Sequence, residues 1–215
     1  MIYLSSQLWF PSVTEASKEG LLAIGGDLSS DRLLLAYRSG IFPWFEDDQP
    51  ILWWSPDPRM VLFPERFKVS KSLKKVLDSN IFQVTFNQNF SEVIKQCASV
   101  KRKGQRGTWI TSEMISAYQE LHEKGFAKSV EVWKEGKLVG GLYGIDLPEK
   151  KVFCGESMYT KESNASKVGF YILIEKLKER NYKIIDCQVY TNHLHSLGAE
   201  EIPREEFLKA LGFKG

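Results

Sequence analysis

Asp186 and Gln188 stand two residues apart in the run "YKIIDCQV". Its apolar and β-branched content predicts a buried strand over residues 182–189. Side chains at i and i+2 of a strand share a face, so the acid and the amide are expected side by side, with Cys187 turned the other way. An acid and an amide paired on one face of a buried strand need a polar reason to be there. The same spacing suits a structural hydrogen-bonded pair, since buried polar groups find partners. Glu156, in "VFCGES", lies among Phe153, Cys154 and Met158. A carboxylate in such company needs a cation, either a ligand's or a local lysine's. His193 and His195 have the pKa range for base chemistry, but their setting, "TNHLHSLG", reads as a loop in which histidines are usually solvated. Cys154 and Cys187 read as small core residues, without the adjacent base a thiol nucleophile requires.

Several elements must position these groups. "SSDRLLLAYRSG" predicts a short helix, capped by Ser29 or Ser30, striped with Leu33, Leu34 and Tyr37, and stopped by Gly40. "SKSLKKVLDSN" and "NFSEVIKQCAS" predict two more, the first with lysines outward. "TSEMISAYQELHEKG" places Met114, Ile115, Tyr118 and Leu121 at helical spacing. From about residue 128 the texture changes. "SVEVW", "KLVGGLYGID" and "KKVFCGESMY" predict three strands. "NASKVGFYILIEKLKER" predicts an amphipathic helix, "YKIIDCQV" a fourth strand and "REEFLKAL" a last helix. That order resembles an acyltransferase of the Gcn5-related N-acetyltransferase type. The expected fold is α+β: a small N-terminal domain over residues 1–62, then an acyltransferase-like domain over 63–215 with a mixed sheet flanked by helices.

The segment "GIFPWFEDDQPILWWSPDPR", residues 40–59, carries three of the six tryptophans and four of the eight prolines. Proline removes a backbone donor, so neither an ordinary helix nor a central strand fits. Such aromatic content either plugs a core or lines a pocket. The 215 residues are 43% hydrophobic and 26% charged, as in ordinary soluble proteins. No apolar run is long enough for a transmembrane helix, and the N-terminus does not read as a signal peptide. Three scattered cysteines and three histidines form no metal pattern, which points to a reducing, cytoplasmic setting without metal or disulfide. Between residues 66 and 106, ten positive side chains face two negative ones, a net +8 that leaves −6 for the remainder. Either this is a solvated face or it meets a polyanion.

"GLLAIGGDLS", "GIFPWF", "ILWWSPDPR", "GTWIT", "LVGGLYG", "FCGESM", "NASK", "IDCQV" and "SLGAEEIPR" occur in this order. Together they resemble the leucyl/phenylalanyl-tRNA–protein transferase family over nearly the whole chain. The resemblance implies an aminoacyltransferase that moves Leu, Phe or less often Met from aminoacyl-tRNA to the α-amine of proteins beginning with Arg or Lys, producing a bacterial degradation signal. It implies a catalytic pair, Asp186 and Gln188, and a substrate-binding acid, Glu156. Trp44, Trp109, Phe153, Met158 and Ile185 become walls of an apolar pocket. The basic segment, with Lys71, Lys74, Lys75, Lys101, Arg102 and Lys103, becomes the tRNA surface. No cofactor, metal or membrane is implied, and a monomer is expected.

Two other readings stand beside it. An acetyl-CoA-dependent N-acetyltransferase would carry a Gly-rich loop ahead of the long helix. Here "YTKESNASKVG" has no glycine until Gly169. A non-catalytic RNA-binding module would explain the basic segment and the aromatics, but not Asp186, Gln188 and Glu156.

Overall fold

The computed structural model describes residues 1–100 and 108–213. The chain opens with strands β1 (Ile2–Leu4) and β2 (Leu21–Gly25), helix α1 (Ser30–Arg38), and strands β3 (Phe42–Pro43) and β4 (Leu52–Trp54). These strands form a small sheet of order β1-β2-β4-β3, parallel only between β1 and β2. Next come β5 (Arg59–Leu62), α2 (Lys71–Asp78), β6 (Gln83–Phe86), α3 (Phe90–Ser99) and α4 (Ser112–Glu123). The chain then runs through β7 (Ala127–Lys134), β8 (Lys137–Leu147), β9 (Val152–Thr160), α5 (Ala165–Glu179), β10 (Ile184–Gln188), α6 (Asn192–Ser196), β11 (Glu200–Ile202) and α7 (Arg204–Ala210). The second sheet has seven strands in the order β11-β5-β10-β9-β8-β7-β6. Its one parallel pair is β10 with β9, joined through α5 as a parallel crossover requires. The architecture is the expected α+β one, a mixed sheet flanked by helices behind a small N-terminal domain.

Local chemistry explains the helix starts. Ser29, Ser70 and Thr111 each accept a hydrogen bond from a backbone N–H in the first turn of α1, α2 and α4, satisfying donors that a helix leaves open. Tertiary burial explains the rest. On one face of the large sheet, Val61, Cys154, Ile145 and Ile184 pack with α1, α3, α4 and α7. On the other, Met60, Leu62, Phe153 and Ile185 pack against α5. The expected N-terminal domain, residues 1–62, includes Arg59–Leu62 as its last segment. That segment is a strand of the large sheet, flanked by β10 and β11.

Gly144 of β8 permits a close approach that the site needs. A Cβ there would run into the Cys154 carbonyl and lie 2.7 Å from the Phe153 ring. Gly144→Ala should therefore cost about 1–3 kcal/mol through overpacking, lowering the Tm by roughly 2–12 °C. Thermal melts check this; an unchanged Tm would mean that the strands accommodate the methyl group.

Candidate active site

Two irregularities open the large sheet. β10 pairs with β9 from Ile184↔Val152 to Asp186↔Cys154. On its other side β9 opposes β8 with Tyr143↔Ser157 and Gly144↔Gly155, so Glu156 is an extra, bulged residue. β10 opposes β5 with Asp186↔Val61 and Gln188↔Met60, so Cys187 is also extra. Gln188 sits at φ 59°, in the left-handed region. Bulges bend strands and re-aim side chains. With one on each of two neighbouring strands, the residues beyond Asp186 line an opening in the sheet.

A cavity of about 410 Å³ occupies it. All five residues expected as apolar walls line it: Trp44, Trp109, Phe153, Met158 and Ile185. Phe42, Leu142 and Phe170 add to the wall. Phe42 belongs to the aromatic string already noted. Trp44 is 38% exposed at the rim. Its backbone carbonyl accepts from Trp54 Nε1 at 2.7 Å. His193 lines the mouth, its pKa lowered by burial and then by Lys167. His195 does not line the cavity.

Glu156 and Gln188 form the polar end of the cavity. Gln188 Nε2 lies 3.4 Å from Glu156 Oε1, and Tyr118 Oη donates to Glu156 Oε2 at 3.2 Å. The Tyr118 hydroxyl is in turn hydrogen-bonded to that of Tyr37. Both tyrosines belong to apolar helix stripes, which is why sequence read them as packing alone. Glu156 is partly open to the cavity yet enclosed by protein on its other sides. Burial pushes its pKa up to about 8, hydrogen bonds from Tyr37 and Tyr118 pull against that, and Asp186 adds a further upward push.

Asp186 departs from the expected arrangement. It is 1% exposed and does not line the cavity. The bulge at Cys187 breaks the strand alternation, so Asp186 and Gln188 do not share a face in the expected way. The Gln188 side-chain amide meets Glu156. It is the Gln188 backbone N–H that reaches Asp186 Oδ1, at 3.0 Å. The carboxylate is otherwise taken by Arg59, whose Nε and Nη2 donate to its two oxygens at 2.8 and 2.7 Å. Cys154 and Cys187 are buried, and burial raises both thiol pKa values, consistent with inert core thiols. Among the described residues no group of His, Cys, Asp and Glu could hold a metal ion.

Of the six expected RNA-facing cations, Lys71, Lys74 and Lys75 are exposed on α2, whose buried Leu73 faces inward. Lys101, Arg102 and Lys103 lie outside the described residues. No helix among the described residues is long and apolar enough to cross a membrane.

Comparison with known proteins agrees with the sequence resemblance. The family model for leucyl/phenylalanyl-tRNA protein transferase matches residues 61–212, and that for the family's N-terminal domain matches residues 26–57. The leucyl/phenylalanyl-tRNA–protein transferase of Flavobacterium johnsoniae is 61% identical over 214 residues, covering 100% of both chains. That of Christiangramia forsetii is 59% identical over 211 residues, covering 98% of this chain and 100% of the relative. Among solved structures, a ribosomal-protein-alanine N-acetyltransferase from Brucella melitensis biovar Abortus aligns at 16% identity and a TM-score of 0.38, over 55% of this chain and 88% of that one.

The raised Glu156 pKa has a consequence for stability. In the unfolded chain this carboxyl ionises near its ordinary value of 4.5, in the folded protein at about 8. Between those values the unfolded state has released a proton that the folded state keeps, so stability contributed by this group falls as pH rises and levels off above 8. Glu156→Gln removes that slope. Relative to wild type, the variant should gain thermal stability from about pH 5 to pH 8. A Tm difference that stays constant over that range would contradict the shift.

Proposed function

The chain belongs to the leucyl/phenylalanyl-tRNA–protein transferase family of aminoacyltransferases, and from that premise we propose that it moves Leu or Phe, less often Met, from aminoacyl-tRNA to the α-amine of proteins beginning with Arg or Lys. In the cytoplasm of a bacterium, where we place it, the product is a degradation signal. The observation that carries this reading is a cavity with apolar walls and a Glu156–Gln188 polar end. Its volume of about 410 Å³ falls within the usual range for ligand sites, roughly 300–1,000 Å³. The aminoacyl side chain is held among Trp44, Trp109, Phe153, Met158 and Ile185, and burying it is worth roughly 1.5–3 kcal/mol. In this reading Trp44, exposed at the rim, stacks on the terminal adenine, a contact worth about 1–3 kcal/mol. No base need be read, so phosphate contacts suffice for the remainder of the tRNA.

The reaction is aminolysis of an activated ester. The amine lone pair attacks the ester carbonyl carbon, a C–N bond forms, the bond to the ribose 3′ oxygen breaks, and that oxygen takes up a proton to match the one the amine loses. An α-amine has an ordinary pKa of about 7.7–8.0, so a usable fraction is neutral near pH 7. Orientation and a destination for its proton are then the main needs. With Nε2 turned to Glu156, the Gln188 side-chain oxygen is left to accept from the incoming amine. Glu156, titrating at about 8, matches the amine and serves as its docking acid and proton acceptor. Asp186 contributes from behind, through the Gln188 backbone.

Single-turnover transfer from Leu-tRNA to an Arg-starting peptide tests the reading. Asp186→Asn and Gln188→Ala should each lower the rate by roughly 10²–10⁴. Met158→Ala and Trp44→Ala should each weaken use of the donor by about 1–3 kcal/mol. No transfer by the wild-type protein, or full activity in Gln188→Ala, would refute the assignment.

The α2 lysines supply part of the tRNA affinity in the same reading. Replacing Lys71, Lys74 and Lys75 together with Ala should reduce the steepness of log K against log salt by about 2–3, near 0.9 per lost phosphate contact. An unchanged slope would move the RNA away from this helix.

A further inference from the structure

Arg59 is the last residue of the Pro/Trp segment and the first of β5, and is 1% exposed. Every feature of its surroundings fixes the guanidinium in one place. Its faces carry two aromatic rings, with Phe42 at 4.8 Å and Phe207 at 4.6 Å from Cζ to ring centroid. Nη1 donates to the Gly40 carbonyl at 3.1 Å. Gly40 ends the α1 segment at φ 74°, and a Cβ there would lie 2.9 Å from the Leu208 side chain, so the carbonyl is presented by a backbone that only glycine adopts readily. The cation is thus held by the α1–β3 turn, by β3 and by α7. Its remaining donors grip both oxygens of Asp186.

Asp186 Oδ1 accepts from Arg59 Nε and also from the Gln188 backbone N–H. Gln188 keeps its left-handed φ of 59°, a conformation that a glutamine holds only when its surroundings impose it. A chain of direct contacts therefore runs from Gly40, Phe42 and Phe207, through Arg59 and Asp186, to the backbone that aims the Gln188 side chain at the cavity. We propose that Arg59 is a positioning residue for the transfer reaction, setting Gln188 through the Asp186 carboxylate. This rests on the reading that Gln188 engages the attacking amine. A lysine cannot replace it, because a point charge lacks the planar fork that grips two carboxylate oxygens and a carbonyl at once.

A double-mutant cycle with Arg59→Lys and Gln188→Ala tests the proposal, read as kcat and KM for aminoacyl-tRNA with an Arg-starting peptide. Arg59→Lys should lower kcat by about 10–10²-fold, the usual effect of misplacing a reacting group, and change the donor KM by less than about threefold. In the Gln188→Ala background the same change should cost less than about twofold more, because groups acting as a unit are not additive. Losses that multiply, or wild-type kcat in Arg59→Lys, overturn the proposal. Full kcat in Gln188→Ala alone overturns the reading beneath it instead, and this proposal with it. A merely structural pair is distinguished by Arg59→Met/Asp186→Leu, which leaves no lone buried charge and so protects the fold. The proposal requires that variant to melt near wild type and remain slow; recovery of kcat along with stability would overturn it.

Discussion

A carboxylate shut away from water stays charged only if a cation is built around it, and Asp186 illustrates how much structure that demands. Arg59 supplies the charge. Holding the guanidinium in turn requires the Gly40 carbonyl, the Phe42 ring and the Phe207 ring. Those groups come from the two ends of the chain. The small N-terminal domain, the last helix and strand β10 of the large sheet therefore meet at one ion pair. Such a pair is not a strong source of stability, since apolar replacements of similar volume often match it. What it contributes is geometry: it fixes a bulged backbone at the point where the sheet opens.

The aromatic segment divides its work around that point. Trp53 is fully buried, donates to the Gly25 carbonyl at 2.8 Å and meets Phe10 edge-on at 4.9 Å. It closes the core of the small domain. Trp54 ties down the Trp44 backbone, and Trp44 faces the cavity. One stretch thus plugs a core with one indole and shapes a cavity wall with another. Prolines help by limiting the backbone shapes available to the loop.

Glu156 is balanced between opposing influences. Burial and the nearby Asp186 disfavour its charge, whereas two tyrosine hydroxyls and Arg59 favour it. The result is an acid whose pKa is raised to about 8. Its bulged position on β9 gives it a place in the cavity while its tyrosine partners remain in the helical layer behind.

Much of this was legible in the sequence. Periodicity and caps gave α1, α2, α4 and α5, because those signals are local. Alternation and β-branched content gave β7, β8, β9 and β10 for the same reason. The ordered strings identified the family, and every apolar wall residue inferred from it lies on the cavity. The short strands β1 to β6 and β11 were not read, because two to five residues carry too little pattern and become strands only against a partner. β4 even lies inside the small sheet, because its three residues hold none of the prolines that speak against a central strand in the segment around them. Nor did the sequence show that Tyr37 and Tyr118, spaced like core residues, carry their hydroxyls to Glu156. The facing of Asp186 was misjudged because i, i+2 parity assumes an unbroken ladder, whereas a bulge exists only as a mismatch in register with a neighbouring strand. Arg59, 127 residues away in the chain, could be joined to Asp186 only by the tertiary structure, since no local pattern says which buried cation will meet which buried acid.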